Sequence, residues 1–170
     1  MKNIILQHWT GGLGPLELAS KENIEKYAMQ CNAEYQLIEG NQFRSWLSPP
    51  CQKLIMLDER FDQYEDVCMV DMDMFVVKNI KNNIFDVPGV GLNSATQKTL
   101  FASMLEHKKY KKYMYKDGPF WGGAIWKFTN AQRKQLRKFI VDDEMKIFTQ
   151  NYVDEGIIHR LASQAGLKQI

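Results

Sequence analysis

The sequence lacks any apolar run of the length that a membrane-spanning helix needs, about 20 residues. The N-terminal apolar stretch, residues 4–6, is also far too short for a signal peptide. The formal net charge is only +2, and a charge this small does not by itself indicate binding to nucleic acid. We therefore expect a cytoplasmic protein with no transmembrane segment and no nucleic-acid partner.

Cysteine is scarce as well, and its placement argues against two classes of site. Cys31, Cys51 and Cys68 are odd in number, lack the spacing of metal ligands and lie in apolar sequence. We expect buried free thiols rather than a disulfide or a zinc site, which favours a reducing compartment. The sequence also lacks the Gly-x-x-x-x-Gly-Lys loop that cradles phosphates, so an NTPase is not expected.

What the sequence does contain is a series of short apolar strands that alternate with helices. The predicted strands are residues 2–8, 33–39, 67–70, 89–92 and 121–128. The predicted helices are residues 16–32, 50–60, 97–115, 131–141 and 154–165. This alternation predicts a three-layer α/β fold, in which helices flank a mainly parallel central sheet. Residues 1–170 have the length of a single domain, and ligands of such folds bind at the carboxyl ends of the strands.

Two aspartates, Asp71 and Asp73, follow the continuous apolar strand at residues 67–70. Alternate residues of an extended backbone point to the same side, so the two carboxylates would repel each other and be poorly hydrated. A divalent cation removes both problems, and oxygen ligands suit Mg²⁺ or Mn²⁺ better than zinc. A solvated loop is the alternative, but the apolar residues 74–77 that follow favour a metal site that can stabilise a diphosphate leaving group.

Five segments, in order along the chain, resemble motifs of the GT-A fold nucleotide-sugar glycosyltransferases. They are residues 5–10, 53–57, 70–74, 121–128 and 154–155. Asp71 and Asp73 look like the Asp-x-Asp metal motif of that family. Asp154 and Glu155 are similar to the acidic pair of glycogenin-like and lipopolysaccharide galactosyltransferase-like retaining enzymes. Small chlorovirus and bacterial glycan-building transferases look like the nearest relatives, and a viral protein would lie in the host cytoplasm.

The resemblance implies a catalytic domain with a Rossmann-like nucleotide-binding fold. It would transfer a glycosyl unit from a nucleoside diphosphate sugar, foremost a UDP-sugar, to a glycan or glycoprotein acceptor, with retention of configuration favoured. Mn²⁺ or Mg²⁺ on Asp71 and Asp73 would be the cofactor. The residues implied to bind the donor are His8, Trp9, Thr10, Lys53, Asp71, Asp73, Gly122 and Gly123. Asp154 and Glu155 would be catalytic. Apart from the resemblance, Trp121 and Trp126 have opposite parities in their predicted strand, so one should face the core, and Trp121 is expected to bind the acceptor.

Two features depart from the family pattern. Trp121 precedes Gly122 where the family has a small or amide residue, so the choice of acceptor or donor sugar is open. Retaining relatives often supply a third metal ligand, commonly a histidine, well downstream of the acidic pair, and this sequence ends soon afterwards at Ile170. Either the natural chain continues past Ile170, or diphosphate and water complete the coordination of the metal.

Other interpretations of the same residues stay open. A nucleotidyltransferase also joins an α/β sheet to paired carboxylates, but a basic residue is expected in its glycine-rich loop, and residues 11–15 contain none. A non-catalytic module that binds a nucleotide sugar would share the fold and the ligand. Asp154 alone is also a suitable N-cap for the last predicted helix, and Lys53 has the alternative of an ordinary surface lysine.

Overall fold

A four-stranded sheet lies at the centre of the described chain, which comprises residues 2–89, 122–146 and 153–167 of a computed structural model. The strands are β1 (Lys2–Trp9), β2 (Glu34–Glu39), β3 (Tyr64–Val70) and β4 (Ile125–Thr129), in the order β2-β1-β3-β4. β1 pairs in parallel with β2 and with β3, whereas β4 runs antiparallel to β3. The prediction of a mainly parallel sheet is confirmed.

Helices cover the sheet in the described residues. The α-helices are α1 (Pro15–Gln30), α2 (Asn130–Arg137), α3 (Asp142–Met145) and α4 (Val153–Gln164), and the 3₁₀ helices are Pro49–Leu57, Glu59–Phe61 and Ile84–Asp86. The start of α2 is fixed by reciprocal hydrogen bonds. Thr129 Oγ1 accepts from the Gln132 N–H at 3.2 Å, and Gln132 Oε1 accepts from the Thr129 N–H at 2.9 Å. None of the described helices is long and apolar enough to cross a membrane.

Side chains are buried on both faces of the sheet, because alternate residues of β1 and β3 point to opposite sides. One face packs against α1 through a cluster of Ile5, Ile24, Ala28, Cys68 and Val70. The opposite face packs against Pro49–Leu57, α2 and α4 through a larger cluster, whose members from the sheet are Ile4, Leu6, Ile38, Tyr64, Val67, Met69, Trp126 and Phe128. The three-layer α/β architecture is therefore the one that the sequence predicts.

The segment before β3 is helical as predicted, but its helix is of the 3₁₀ type and ends before residue 60. Pro49–Leu57 is a 3₁₀ helix, and it stops at Asp58, whose backbone is extended and whose carboxylate accepts a hydrogen bond from the Arg60 N–H at 3.0 Å. A local side-chain bond of this kind competes with continuation of a helix, and the separate turn Glu59–Phe61 follows. Every residue from 51 to 57 is buried, so the apolar pattern there does not distinguish one type of helix from another.

Other elements match the predictions to different extents. β4 begins at Ile125, later than predicted, because Gly122 and Gly123 are held against other parts of the chain instead of lying in the strand. The predicted strand at residues 89–92 falls within the described chain only at Gly89, and the predicted helix at residues 97–115 falls outside it. All three cysteines are buried free thiols, as expected.

Candidate functional site

The candidate site lies where β3 ends. Asp71 directly follows this strand, and its N–H donates to the carbonyl oxygen of Ala124 at 2.9 Å. This bond brings the residues before β4 alongside the end of β3. Lys53 reaches the same place from the 3₁₀ helix Pro49–Leu57, and Asp154 reaches it from the first turn of α4. Three predicted site residues that are distant in sequence are thus brought together.

Lys53 is the centre of this arrangement and is only 6% exposed. Its ammonium Nζ lies 2.7 Å from Asp71 Oδ1, 2.8 Å from Asp154 Oδ2 and 2.7 Å from the carbonyl oxygen of Gly123. An ammonium group has three N–H donors, and these three contacts use all of them. Lys53 therefore joins two carboxylates to the glycine segment, and the alternative of a surface lysine is wrong.

Gly123 is packed so tightly that a side chain does not fit there. A Cβ atom at this position would lie 2.7 Å from Asp154 Oδ2 and 3.2 Å from Glu155 Oε1. The Gly123 N–H also donates to Glu155 Oε1 at 2.7 Å. The close approach of backbone that a glycine pair predicts is therefore present, with the acidic pair of α4 as the neighbour.

Asp154 and Glu155 are both buried at the start of α4, 5% and 8% exposed. The carboxylate of Asp154 pairs with Lys53, so it belongs to the site and is not explained by a capping role alone. Glu155 Oε1 accepts the Gly123 N–H, while its other oxygen, Oε2, is buried without a hydrogen-bond partner among the described residues. A buried unpaired carboxylate oxygen is costly unless a ligand or water satisfies it.

The electrostatics of the site follow from one ammonium among three carboxylates. Burial raises the pKa of Asp71, and Lys53 only partly offsets that rise. Burial also raises the pKa of Glu155, against the hydrogen bond from Gly123 and with the charge of Asp154 adding to the rise. Burial by itself lowers the pKa of Lys53, but the charges of Asp154 and Asp71 together raise it above its ordinary value. The excess negative charge suits a cation or a ligand that donates hydrogen bonds.

Asp71 and Asp73 do not lie on an extended strand, and the expectation that they point to the same side is wrong. β3 ends at Val70, and residues 71–74 form a turn in which the Met74 N–H donates to the Asp71 carbonyl oxygen at 3.2 Å. Side-chain alternation holds only for extended backbone. Asp71 consequently turns inward to Lys53, whereas Asp73 is exposed.

This turn is held by two residues that sequence reasoning missed. Gln7 Nε2 donates to the Asp71 carbonyl oxygen at 3.1 Å and to Ser20 Oγ at 3.1 Å, and Ser20 Oγ donates to the Met74 carbonyl oxygen at 2.7 Å. Both side chains are fully buried. The available signal was an amide, Gln7, directly after the apolar run at residues 4–6 of β1, and a serine on the inward face of α1.

The residues at the end of β1 are accessible to different degrees. His8 is buried, and its Nε2–H donates to the Gly40 carbonyl oxygen at 2.8 Å; burial lowers the pKa of its imidazole. The indole Nε1–H of Trp9 donates to the Gly12 carbonyl oxygen at 3.0 Å, and the exposed Thr10 donates from Oγ1 to Asn41 Oδ1 at 3.3 Å. Trp9 and Thr10 therefore offer more surface to a ligand than His8 does.

Among the remaining predicted residues, Gly122 has a structural contact and Trp121 lies outside the described residues. The Gly122 carbonyl oxygen accepts from the indole Nε1–H of Trp126 at 2.6 Å, and Lys53 Nζ lies 5.1 Å from the centre of the Trp126 ring. Trp126 is fully buried, so it supports the site from the core.

Asp71 and Asp73 supply few donor atoms for a metal ion. Among residues 2–89, 122–146 and 153–167, no group of three or more His, Cys, Asp or Glu side chains is arranged to hold a metal ion. Lys53 engages only the Oδ1 atom of Asp71, whose side chain is 30% exposed, and Asp73 is exposed. Asp71 and Asp73 alone would therefore supply too few ligands for a metal ion, and a bound diphosphate and water would have to supply the rest.

Comparisons with known proteins give a structural match and no sequence match. No family model and no curated protein sequence matches the chain, while nine chains of solved structures do. One is the crystal structure of a glycosyltransferase involved in the glycosylation of the major capsid of PBCV-1, with a TM-score of 0.60 and 11% identity. The match covers 100% of this chain and 81% of that one. The protein described here has an α/β fold similar to that of this glycosyltransferase.

Proposed function

We propose that this protein is a glycosyltransferase that takes a glycosyl unit from a nucleoside diphosphate sugar, foremost a UDP-sugar, and transfers it to a glycan acceptor. The observation that carries the proposal is the convergence of Lys53, Asp71, Asp154 and Glu155 around the backbone of Gly123. A buried carboxylate oxygen that no described residue satisfies, such as Glu155 Oε2, can accept a hydrogen bond from a sugar hydroxyl. The fold similarity to a glycosyltransferase supports the same reaction class.

Asp71 and Asp73 would hold Mn²⁺ or Mg²⁺ in this enzyme. When bound, the ion would supply positive charge to the diphosphate as it leaves. The remaining roles belong to the residues of the chain. Trp9 and Thr10 would contact the nucleoside, and His8 would hold the loop beneath it through Gly40.

Lys53 would act as a positioning residue in this mechanism. Because its three donors are used by Asp71, Asp154 and Gly123, it would set the distance between the metal motif and the sugar pocket, in place of the direct contact with the donor that the resemblance implied. Asp154 and Glu155 would hold the donor sugar, and the carboxylate of Glu155 would stabilise positive charge that develops at the anomeric carbon. Retention of configuration remains the favoured outcome.

A thermal-shift panel of UDP- and GDP-sugars, each with and without Mn²⁺, tests the proposal. A ligand that binds only the folded state raises the melting temperature by mass action, so we expect stabilisation by a nucleotide sugar that depends on the metal. The variant with Asp71→Asn and Asp73→Asn should lose that stabilisation. Equal stabilisation of the variant and the wild type would contradict the metal site.

Product analysis separates this function from its two rivals. A glycosyltransferase should release nucleoside diphosphate from the donor, by transfer or by slow hydrolysis. A nucleotidyltransferase should instead form a nucleotide sugar and pyrophosphate from a nucleoside triphosphate and a sugar phosphate. Binding of nucleotide sugars without turnover across donors and acceptors would indicate a non-catalytic module.

A further inference from the structure

The loop between β2 and the 3₁₀ helix Pro49–Leu57 displays a tryptophan to solvent. Trp46 is 44% exposed, although its neighbour Leu47 and the nearby Phe43 are each only 5% exposed. Phe43 and Leu47 belong to the large apolar cluster, so they anchor the loop on both sides of Trp46. An exposed large aromatic side chain between two buried anchors is a feature that folding alone does not require.

The backbone that carries Trp46 is fixed by one buried amide. Gln52, which is fully buried, accepts from the Phe43 N–H through Oε1 at 2.8 Å. Its Nε2 donates to the carbonyl oxygens of Arg44 and Leu47, both at 3.2 Å. Arg44 also adopts a positive φ of 45°, which is uncommon outside glycine. The loop is therefore pre-organised, and a ligand that stacks on Trp46 would lose little affinity to ordering of the loop.

One charged group, Lys146, lies near the exposed indole, and Arg44, two residues earlier in the chain, forms a second ion pair with the same helix α3. Lys146 Nζ lies 5.6 Å from the centre of the Trp46 ring and donates to Asp143 Oδ1 at 2.8 Å. Arg44 Nε donates to Asp142 Oδ1 at 2.8 Å. A flat apolar surface bordered by both donors and acceptors complements a pyranose ring, which has an apolar C–H face and a rim of hydroxyl groups. A lipid surface would be matched better by a broader apolar patch without carboxylates.

The loop is also connected to both halves of the candidate donor site. At its start, the Gly40 carbonyl oxygen accepts from His8 Nε2 at 2.8 Å, and Asn41 Oδ1 accepts from Thr10 Oγ1 at 3.3 Å. At its end, the loop continues directly into the 3₁₀ helix that carries Lys53. Trp46 therefore lies on the connection between the residues proposed for the nucleoside and those proposed for the donor sugar.

We propose that Trp46 is a stacking platform for a sugar ring of the acceptor glycan, with Arg44 and Lys146 binding its hydroxyl groups. This inference rests on the proposed function, since it assigns the acceptor subsite of the same enzyme. Trp121, the residue expected for this role from the sequence, lies outside the described residues, and the two aromatic side chains do not exclude each other.

The first test is binding of simple sugars in the absence of a donor. Methyl glycosides of glucose, galactose, mannose and xylose, together with lactose and maltose, are examined by saturation-transfer NMR and by quenching of tryptophan fluorescence. We expect the wild type to bind at least one of them, Trp46→Phe to bind it more weakly and Trp46→Ala to lose it. Met29→Ala, which removes another exposed apolar side chain, is the matched control and should bind like the wild type.

The second test separates this inference from the proposed function. With a donor that is turned over, Trp46→Ala should raise the KM for the acceptor about tenfold, which corresponds to ~1.4 kcal/mol. Donor hydrolysis and stabilisation by donor and Mn²⁺ should stay unchanged. If the wild type itself is not stabilised by any donor, the proposed enzyme function is refuted. If Trp46→Ala binds sugars as well as the wild type does, only the role of Trp46 as a stacking platform is refuted. The stacking role of Trp46 would also be refuted if the wild type bound none of the sugars. The same holds if the protein bound anionic phospholipid vesicles in a way that depends on Trp46.

Discussion

At the scale of single residues, Lys53 and Gly123 determine the geometry of the site. The ammonium of Lys53 neutralises two carboxylates that would otherwise be buried together, and Gly123 leaves room for both acidic side chains of α4. Neither the ion pairs of Lys53 nor the close packing at Gly123 depends on a bound ligand. Substitutions at these two positions should therefore have effects that are measurable on the free protein.

Gly123→Ala should reduce activity sharply without unfolding the protein. The added methyl group would lie 2.7 Å from Asp154 Oδ2, so Asp154 and Glu155 must move. We expect at least a tenfold loss of kcat/KM, equivalent to about 1.4 kcal/mol of transition-state stabilisation. Gly12→Ala is the matched control, because a Cβ atom there meets nothing within 4 Å. Equal kinetics for the two variants would show that the packing at Gly123 is not functional.

Lys53→Met should destabilise the protein, because it leaves Asp71 and Asp154 as uncompensated carboxylates in a buried setting. Removing one partner of a buried ion pair costs about 3–5 kcal/mol. Urea denaturation at pH 7 measures the loss, and Lys26→Met is the control, since Lys26 is exposed and only 3.9 Å from Glu22 at the surface. The loss should shrink at acid pH, where the carboxyl group of Asp71, whose pKa is raised by burial, becomes protonated. A Lys53→Met variant as stable as Lys26→Met would contradict the burial of this charge.

At the scale of elements, the sequence predicts the type of each segment better than it predicts where the segment ends. β1, β3, α1 and α4 follow from their apolar residues, because each element contributes buried apolar side chains to the core clusters. The turn at residues 71–74 does not, because it depends on bonds from Gln7 and Ser20, which lie elsewhere in the chain. No sequence pattern predicts the ion pair of Lys53 with Asp154 either, although the family resemblance placed both residues in one site.

The cap of α2 gives a prediction at this scale. Thr129→Ala removes the oxygen that accepts the Gln132 N–H, and loss of such a cap costs about 1 kcal/mol. Thr129→Ser keeps the hydroxyl group and should remain close to the wild type. The midpoints of urea denaturation of the three proteins measure the effect. If Thr129→Ala and Thr129→Ser have the same midpoint, the capping bond contributes nothing to stability.

At the scale of the whole molecule, two buried titratable groups give opposite pH dependences. The pKa of His8 is lowered by burial, so its contribution to stability is present above its ordinary pKa and is lost as the pH falls through the lowered value. The pKa of Glu155 is raised by burial, so its contribution is present below its ordinary pKa and is lost as the pH rises through the raised value. Because the ordinary pKa of histidine lies above that of glutamate, the two dependences fall in the same acid-to-neutral range and oppose each other there.

The variant Glu155→Gln measures the contribution of the Glu155 carboxyl group to the pH dependence of stability. We expect the free energy of unfolding of the wild type, relative to Glu155→Gln, to decrease as the pH rises from about 4 to about 7. Denaturation across that range at constant ionic strength measures the difference. Glu59→Gln, at an exposed position, should give no such trend. A difference that grows with pH would mean that the Glu155 carboxylate is stabilised, and not penalised, by its surroundings.

The three bonds of the Lys53 ammonium have a consequence for how this protein can change over generations. Many enzymes gain stability when a functional residue is replaced, so that a lineage released from its function loses the active site first. Here the same side chain joins the end of β3, the segment before β4 and the start of α4. Selection for folding alone would retain Lys53, Asp71 and Asp154 in a descendant that no longer catalyses anything. Among homologues, the exposed residues Asp73 and Trp46 should therefore distinguish active members from inactive ones better than the buried residues do.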